Sequence, residues 1–241
     1  MENHELNEAE ARRREKARTL TLGLATLPAE DVIAKSVASL LETVSKVQPD
    51  PQQEEREKAN RIAELRANWQ APKKHVQRTE FDPDAEEWGC VLAMLQDKLG
   101  TGFLFALIGG RGPGKTQIGV ELMKATTQAL KSALYCTAMD FFIDVRGSYR
   151  GDSKQSELRI INDYVIPRFL VIDEMSERGE SGWEDRLLTH MINKRYNAQK
   201  DTLLISNQTL AEFRESIGKS IVSRLNETGG IIECNWKSFR A

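Results

Sequence analysis

The sequence predicts an α/β domain built on a parallel β-sheet flanked by helices, preceded by a smaller helical region. Five apolar runs have the length of strands but lack alternating polar residues, a pattern typical of strands buried on both faces. Segments with helical periodicity separate these runs, and this order favours parallel pairing. The five runs are residues 103–108, 133–136, 169–172, 203–206 and 231–234.

Composition and charge restrict the class of protein. The chain has 241 residues, 40% of them hydrophobic, with 34 Lys and Arg against 36 Asp and Glu. Its longest apolar run is far shorter than the roughly 18 residues of a membrane span, and its acidic N-terminus lacks the apolar core of a secretory signal. We therefore expect a cytoplasmic protein without a membrane partner. A net charge of -2 means that any surface for nucleic acid must be local.

The first 70 residues are predicted to be helical and to bind a partner. Apolar residues recur at helical spacing in residues 28–44 and again in residues 52–69, where Ile62, Leu65 and Trp69 share one side. These helices have too little apolar surface to bury a core of their own. The predicted organisation is a partner-binding region at 1–70, a linker at 71–80 and the α/β domain at 81–241.

A phosphate-binding loop is the strongest signal in the chain. Residues 109–116 satisfy the pattern G-x-x-x-x-G-K-[ST] between a predicted strand and a predicted helix, which is the context that the motif requires. Glycines allow backbone N–H groups to face phosphates, and the helix N-terminus adds partial positive charge. Lys115 is expected to reach the β and γ oxygens, and Thr116 to ligate Mg²⁺. The predicted loop consists of Gly109, Gly110, Arg111, Gly112, Pro113, Gly114, Lys115 and Thr116.

Two acids after the third strand favour hydrolysis of the bound nucleotide. Asp173 is placed to hold the Mg²⁺ shell, and Glu174 to take a proton from the attacking water. A Glu there argues for attack by water rather than transfer to a small-molecule acceptor. Asn207 follows the next strand and is a candidate to orient the water or to contact the γ-phosphate, although Asn is also a common turn residue.

The order of these motifs continues through Ser223-Arg224-Leu225 to the run Asn-Trp-Lys-Ser-Phe-Arg at residues 235–240. It resembles the ATPase domain of bacterial replicative helicase loaders of the DnaC type. That family is similar to the IstB transposition helper ATPases and to the ATPase domain of the initiator DnaA. The resemblance covers roughly residue 81 to the end, and it implies ATP as the nucleotide and an AAA+ fold without a separate lid domain.

The resemblance also implies roles for two arginines. Arg224 matches an arginine finger that completes the ATP site of a neighbouring subunit, and Arg240 matches a second sensor arginine for the γ-phosphate of its own subunit. Ser223 stands where loaders often have an acid, and Phe239 where Tyr is usual, but neither change removes a required charge. The alternative for both arginines is a role in surface solubility.

Related proteins bind single-stranded DNA through a helical insertion after the second strand. The corresponding region here is 139–150, where Arg146 and Arg150, with Lys154 beyond it, are candidates for phosphate contacts and Tyr149 for stacking on a base. A plain amphipathic helix is the alternative, and both can hold because apolar and basic residues occupy different faces. Three further basic residues are candidates for extending the track: Arg178, Lys194 and Arg195.

These features together predict an ATP-dependent loader of the hexameric replicative DNA helicase. Its N-terminal helices are expected to bind the helicase, and its ATPase domains to form a homo-oligomer on single-stranded DNA. The helicase as partner follows from the resemblance alone. The alternatives are an IstB-like transposition helper and a nucleotide-sensing adaptor that hydrolyses little. A small-molecule kinase is disfavoured by Glu174 and by the lack of an Arg-rich lid segment.

Overall fold

A five-stranded parallel sheet forms the centre of the computed structural model. The structure describes residues 34–39, 51–78, 86–149, 155–177 and 182–239. Strands pair in the order β2-β3-β4-β1-β5, and every pair is parallel. This confirms the predicted α/β class. The strands are β1 (Leu104–Ile108), β2 (Ala133–Thr137), β3 (Phe169–Asp173), β4 (Asp201–Ile205) and β5 (Gly230–Glu233).

Helices precede β1 and connect successive strands. Two of them begin with a reciprocal capping box, in which the side chains of Thr137 and Asp140, and of Thr209 and Glu212, each accept a backbone N–H of the other residue. The helices are α1 (Pro51–Ala67), α2 (Lys73–Val76), α3 (Glu86–Asp97), α4 (Lys115–Gln128), α5 (Ala138–Gly147), α6 (Glu157–Val165), α7 (Gly182–Asn197), α8 (Leu210–Ile217) and α9 (Lys219–Thr228), with a 3₁₀ turn at Met175–Glu177.

The sheet separates two apolar clusters, one on each face. Alternate residues of β1 show this division: Leu104 and Ala106 belong to the cluster that includes α5 to α9, whereas Phe105 and Leu107 belong to the cluster that includes α3 and α4. In each of the strands β1, β3 and β4, all five residues are buried. Burial on both faces is therefore the reason that the strand sequences lack alternation.

The segment before the sheet contains a short helix and a backbone contact with β2. Residues 56–241 group together as one compact unit, and the boundaries predicted at residues 70 and 80 stay a prediction. Trp69 is 3% exposed and its carbonyl accepts the N–H of Tyr135 at 2.8 Å, and residues 73–76 form helix α2. An apolar anchor and backbone pairing to β2 therefore hold a stretch whose composition resembles that of a linker.

Other N-terminal predictions lie mostly outside the described residues. Within the helix predicted over residues 28–44, residues 34–39 are described and helical. Pro51 is the first residue of α1, in agreement with the preference for Pro in the first turn. In the part of the chain that the structure describes, no helix has both the length and the apolar character needed to cross a membrane.

Arg195 does not extend a basic surface, contrary to the prediction. Its side chain is fully buried, and it donates hydrogen bonds to Thr202 Oγ1 at 2.9 Å and to the carbonyls of Tyr164, Pro167 and Asp201. Burial lowers the pKa of this guanidinium to about 9. The five N–H donors of a guanidinium lie in one plane, so a buried Arg can bind several acceptors at once. Helical spacing alone does not reveal that a residue has this structural role. Lys194 donates to the Asn162 side chain, and Arg178 lies outside the described residues.

Candidate nucleotide-binding site

The loop of residues 109–116 joins β1 to α4 at the carboxyl edge of the sheet. Three of its glycines, Gly109, Gly112 and Gly114, have φ angles of 115°, 104° and 80°. Residues with side chains rarely adopt this region. The surroundings are also tight, because a Cβ on Gly112 would lie 2.0 Å from Ser238 Oγ. The glycines are therefore required by backbone conformation and by the close approach of the chain after β5.

Lys115 points its ammonium group back over the loop. The Nζ atom donates to the carbonyl oxygens of Gly109 at 2.8 Å and Gly110 at 2.6 Å, and to Asn207 Oδ1 at 3.1 Å. Only 5% of the residue is exposed. The structure thus brings together two residues that the sequence assigned to the phosphates, although they lie far apart in the chain. Phosphate oxygens bind an ammonium more strongly than carbonyls do.

Asp173, at the end of β3, is the centre of an oxygen cluster. Its Oδ2 atom accepts hydrogen bonds from Thr116 Oγ1 at 2.7 Å and from the Tyr135 hydroxyl at 3.0 Å, and its Oδ1 accepts the N–H of Glu174 at 2.7 Å. Hydroxyl and carboxylate oxygens are the ligands that Mg²⁺ prefers. Thr116 and Asp173 therefore fit a magnesium site of the predicted kind. Burial, and then the Asp173 charge, raise the pKa of Tyr135, so this hydroxyl stays protonated.

Glu174 follows in an unusual backbone conformation. Its φ angle is 55°, which for a residue other than Gly costs on the order of 1 kcal/mol and is often found at functional sites. Although the side chain is exposed, partial desolvation of its carboxyl, and then the nearby charges of Glu177 and Asp173, raise the pKa of Glu174. The charge of Arg111 opposes this effect. A raised pKa suits a carboxylate that accepts a proton near neutral pH.

The loop, the acids and Asn207 surround one cavity of about 350 Å³. Four basic side chains and three acidic ones face it, an arrangement suited to a phosphate chain with a divalent cation. Residues before the sheet contribute to its wall in addition to the predicted ones. The lining residues are His75, Arg78, Arg111, Gly112, Pro113, Gly114, Lys115, Thr116, Gln117, Asp173, Glu174, Glu177, Ile205, Asn207 and Phe239.

The segment after β5 lies directly on the phosphate-binding loop. Trp236 Nε1 donates to the Pro113 carbonyl at 2.8 Å, and the N–H of Phe239 donates to the Gly112 carbonyl at 3.0 Å. These two hydrogen bonds attach the phosphate-binding loop to the segment that follows β5. Arg240, the predicted second sensor, follows Phe239 immediately but lies outside the described residues.

Comparison with known proteins supplies the family. The sequence profile of the family described as "IstB-like ATP binding protein" matches residues 54–241, a range close to the compact unit that begins at Arg56. The chain belongs to the IstB-like ATP-binding family. This match starts earlier than the resemblance inferred from the motifs, and it includes the segment that packs against β2.

Relatives of this IstB-like chain act in DNA replication. The replicative helicase loader DnaC of Escherichia coli (strain K12) is 25% identical over 138 residues, which are 57% of this chain and 56% of that protein. The match therefore spans only about half of the curated relative. A crystal structure of the DnaC helicase loader aligns with a TM-score of 0.57 and 17% identity over 67% of this chain and 99% of that chain.

The initiator DnaA has the same fold. Its structure bound to AMPPCP and single-stranded DNA aligns with a TM-score of 0.56 and 18% identity, over 69% of this chain and 51% of that chain. These similarities confirm the α/β fold of the AAA+ type.

Arg224, the predicted arginine finger, contacts residues of α9 and α7 rather than lining the cavity. It is on α9, where its guanidinium donates to the Ser220 carbonyl at 2.8 Å and to Ser220 Oγ at 2.7 Å. The same group stacks over the Tyr196 ring at 5.3 Å. The side chain is not among the described residues that line the cavity.

The predicted DNA-binding residues occupy the end of α5. Phe141, Phe142 and Val145 are buried, as expected for an amphipathic helix. Arg146 forms an ion pair with Glu184 at 2.5 Å and lies over the Trp183 ring at 5.1 Å. Tyr149 is 54% exposed and donates to Glu157 at 2.7 Å. Two other predicted contacts, Arg150 and Lys154, lie outside the described residues.

Several residues at the site carried no recognisable local signal. His75 Nδ1 is hydrogen-bonded to Gln117 Oε1 at 2.8 Å, and Gln117 Nε2 donates back to the His75 carbonyl. Trp88 Nε1 donates to the Gly114 carbonyl at 3.2 Å. Tyr135 reaches Asp173 from the neighbouring strand. All three contacts depend on tertiary packing between segments distant in the sequence.

Substitution of Gly112 tests the close approach between the loop and the chain after β5. Gly112→Ala introduces a Cβ that overlaps Ser238 and an unfavourable φ angle, so we expect a loss of roughly 1–3 kcal/mol in stability and weaker ATP binding. Gly110→Ala is the matched control, because no described atom lies within 4 Å of its Cβ, and its melting temperature should stay near the wild-type value. Thermal melts and binding of a fluorescent ATP analogue measure both effects. Wild-type behaviour of Gly112→Ala would refute the proposed packing.

Proposed function

We propose that this protein is an ATP-dependent loader of a replicative DNA helicase, and that the described site hydrolyses ATP. The observation that carries the proposal is the grouping of Lys115, Thr116, Asp173 and Glu174 around one cavity in a domain of the IstB-like family. The similarity to DnaC supports the loading role.

Each residue of the site has a chemical role in the proposed reaction. The Lys115 ammonium group transfers its hydrogen bonds from the loop carbonyls to oxygens of the β and γ phosphates. Thr116 and Asp173 would hold Mg²⁺. Glu174 accepts the proton of the water whose oxygen attacks the γ phosphorus, while the bond to the β–γ bridging oxygen breaks. Asn207 positions that water or the γ-phosphate. Bound ATP supplies the bond that is broken, and Mg²⁺ held by Thr116 and Asp173 would offset the developing charge.

We infer a homo-oligomer in which Arg224 acts on the nucleotide of a neighbouring subunit. Its absence from the cavity of its own subunit supports this role, and so does its position in the DnaC-like motif. Its bonds to Ser220 and its stacking on Tyr196 hold the guanidinium in a defined place on α9. Arg240 is proposed to contact the γ-phosphate within one subunit.

The proposed partners are single-stranded DNA and the helicase. The exposed Tyr149 ring is available to stack on a base, whereas Arg146 would have to share its charge between Glu184 and a phosphate. Arg150 and Lys154 are proposed to supply further positive charge. The N-terminal helices are proposed to bind the helicase, by similarity to the DnaC type.

An IstB-like transposition helper is the second candidate, favoured by the family that matches the chain. The two functions share the nucleotide site and differ in the protein bound by the N-terminal region. Co-purification with a hexameric replicative helicase supports the loader, whereas co-purification with a transposase supports the helper. An adaptor that senses nucleotide without appreciable hydrolysis is distinguished by its rate of phosphate release.

Substitutions of Lys115 and Glu174 separate binding from hydrolysis. Lys115→Ala should abolish ATP binding, since it removes the charge that faces the phosphates. Glu174→Gln should bind ATP but lose at least about 100-fold in hydrolysis rate, because the amide cannot accept a proton. Lys124→Ala on the same helix is the matched control, because Lys124 does not line the cavity. Fluorescent-nucleotide binding and phosphate release measure the two steps, and hydrolysis at the wild-type rate by Glu174→Gln would exclude it as the base.

Mixing two inactive variants tests the role of Arg224. Arg224→Ala should bind ATP nearly as well as the wild type and hydrolyse it poorly, because the missing charge belongs to the transition state of the neighbouring subunit. Mixed with Glu174→Gln, it should recover part of the activity, since some interfaces then pair an intact Glu174 with an intact Arg224. The measurement is phosphate release across mixing ratios. No recovery at any ratio, with both proteins folded and associating, would exclude a finger.

A further inference from the structure

Tyr135 makes a contact with the acid cluster that the proposed reaction does not use. Its hydroxyl donates to Asp173 Oδ2 at 3.0 Å, and the residue is 6% exposed. The same oxygen accepts the hydroxyl of Thr116 at 2.7 Å. Two hydroxyl groups from different elements, β2 and α4, therefore converge on one carboxylate oxygen.

The position of Tyr135 is fixed on both edges of its strand. On one side, β2 pairs with β3, with Tyr135 opposite Val171. On the other side, the N–H of Tyr135 donates to the Trp69 carbonyl at 2.8 Å. The ring belongs to the buried apolar cluster that also contains Trp69 and Val171. The hydroxyl is therefore held by the sheet rather than by a flexible loop.

The carboxylate of Asp173 is in turn held by three donors. Besides the two hydroxyls on Oδ2, the N–H of Glu174 binds Oδ1 at 2.7 Å. This last bond joins neighbouring residues and moves with the strand end. The two hydroxyls instead define the rotation of the carboxylate relative to α4, and Tyr135 is the one that is not itself a candidate metal ligand.

We propose that Tyr135 is a positioning residue of the cation site, which keeps the Asp173 carboxylate aligned with Thr116 for a divalent cation bound with the nucleotide. The inference rests on the proposed Mg²⁺ and ATP site. Partners that orient a metal-binding carboxylate commonly change metal affinity by about 10- to 100-fold when they are removed. Tyr135 acts through Asp173 and does not itself contact the reacting atoms.

The test is the Mg²⁺ dependence of nucleotide binding in the full chain. Tyr135→Phe removes the hydroxyl and keeps the ring in its apolar cluster. Tyr164→Phe is the matched control, because Tyr164 is also a buried tyrosine whose hydroxyl donates to an aspartate, Asp144, at 2.5 Å. The probe is a fluorescent, non-hydrolysable ATP analogue titrated with MgCl₂, with EDTA as the metal-free baseline.

Tyr135→Phe should need about tenfold more Mg²⁺ for half-maximal binding, with unchanged affinity in EDTA, whereas Tyr164→Phe should match the wild type. An unchanged or lower Mg²⁺ requirement in Tyr135→Phe, or an equal rise in Tyr164→Phe, would overturn the proposal. The Tyr135 effect should also vanish in an Asp173→Asn background, and its persistence there would exclude action through Asp173. Wild-type binding without any Mg²⁺ dependence would instead overturn the proposed cation site itself, and this inference with it.

Discussion

The buried carboxylate of Asp173 is the constraint on which the arrangement of the site depends. Only 5% of the residue is exposed, and an ionised carboxylate out of water is costly unless hydrogen bonds or charges compensate it. The compensation comes from Thr116 on α4, Tyr135 on β2 and the N–H of Glu174. The same contacts place the Thr116 hydroxyl beside a carboxylate oxygen, which is what a hard cation requires.

The parallel sheet explains why the other groups meet at this point. Parallel strands end on the same edge, and ligands of open α/β sheets bind beyond these carboxyl ends. The loop with Lys115 follows β1, Asn207 follows β4, and the segment with Trp236 and Phe239 follows β5 to bind the loop. The strand order β2-β3-β4-β1-β5 places β4, which leads to Asn207, between β1 and β3.

Local patterns in the sequence account for much of the fold and for the main elements of the site. Apolar runs without alternation predicted the strands because those strands are buried on both faces. The loop motif predicted a glycine-rich turn between a strand and a helix, where Gly109, Gly112 and Gly114 adopt positive φ angles. Packing between distant segments could not be predicted in this way. The burial of Arg195, the pairing of Trp69 with Tyr135 and the contact between Trp236 and Pro113 each join segments whose proximity appears only in three dimensions. Composition likewise does not report the backbone bond between Trp69, next to the predicted linker, and β2.

The most direct test of the account is a crystal structure of the chain with Mg²⁺ and a non-hydrolysable ATP analogue. Lys115 Nζ now donates to the carbonyls of Gly109 and Gly110. The account predicts that it will leave them for oxygens of the β and γ phosphates, with Thr116 Oγ1 on the cation and Asp173 beside it. Nucleotide bound elsewhere, or Lys115 still on the loop carbonyls with the cavity filled, would contradict it.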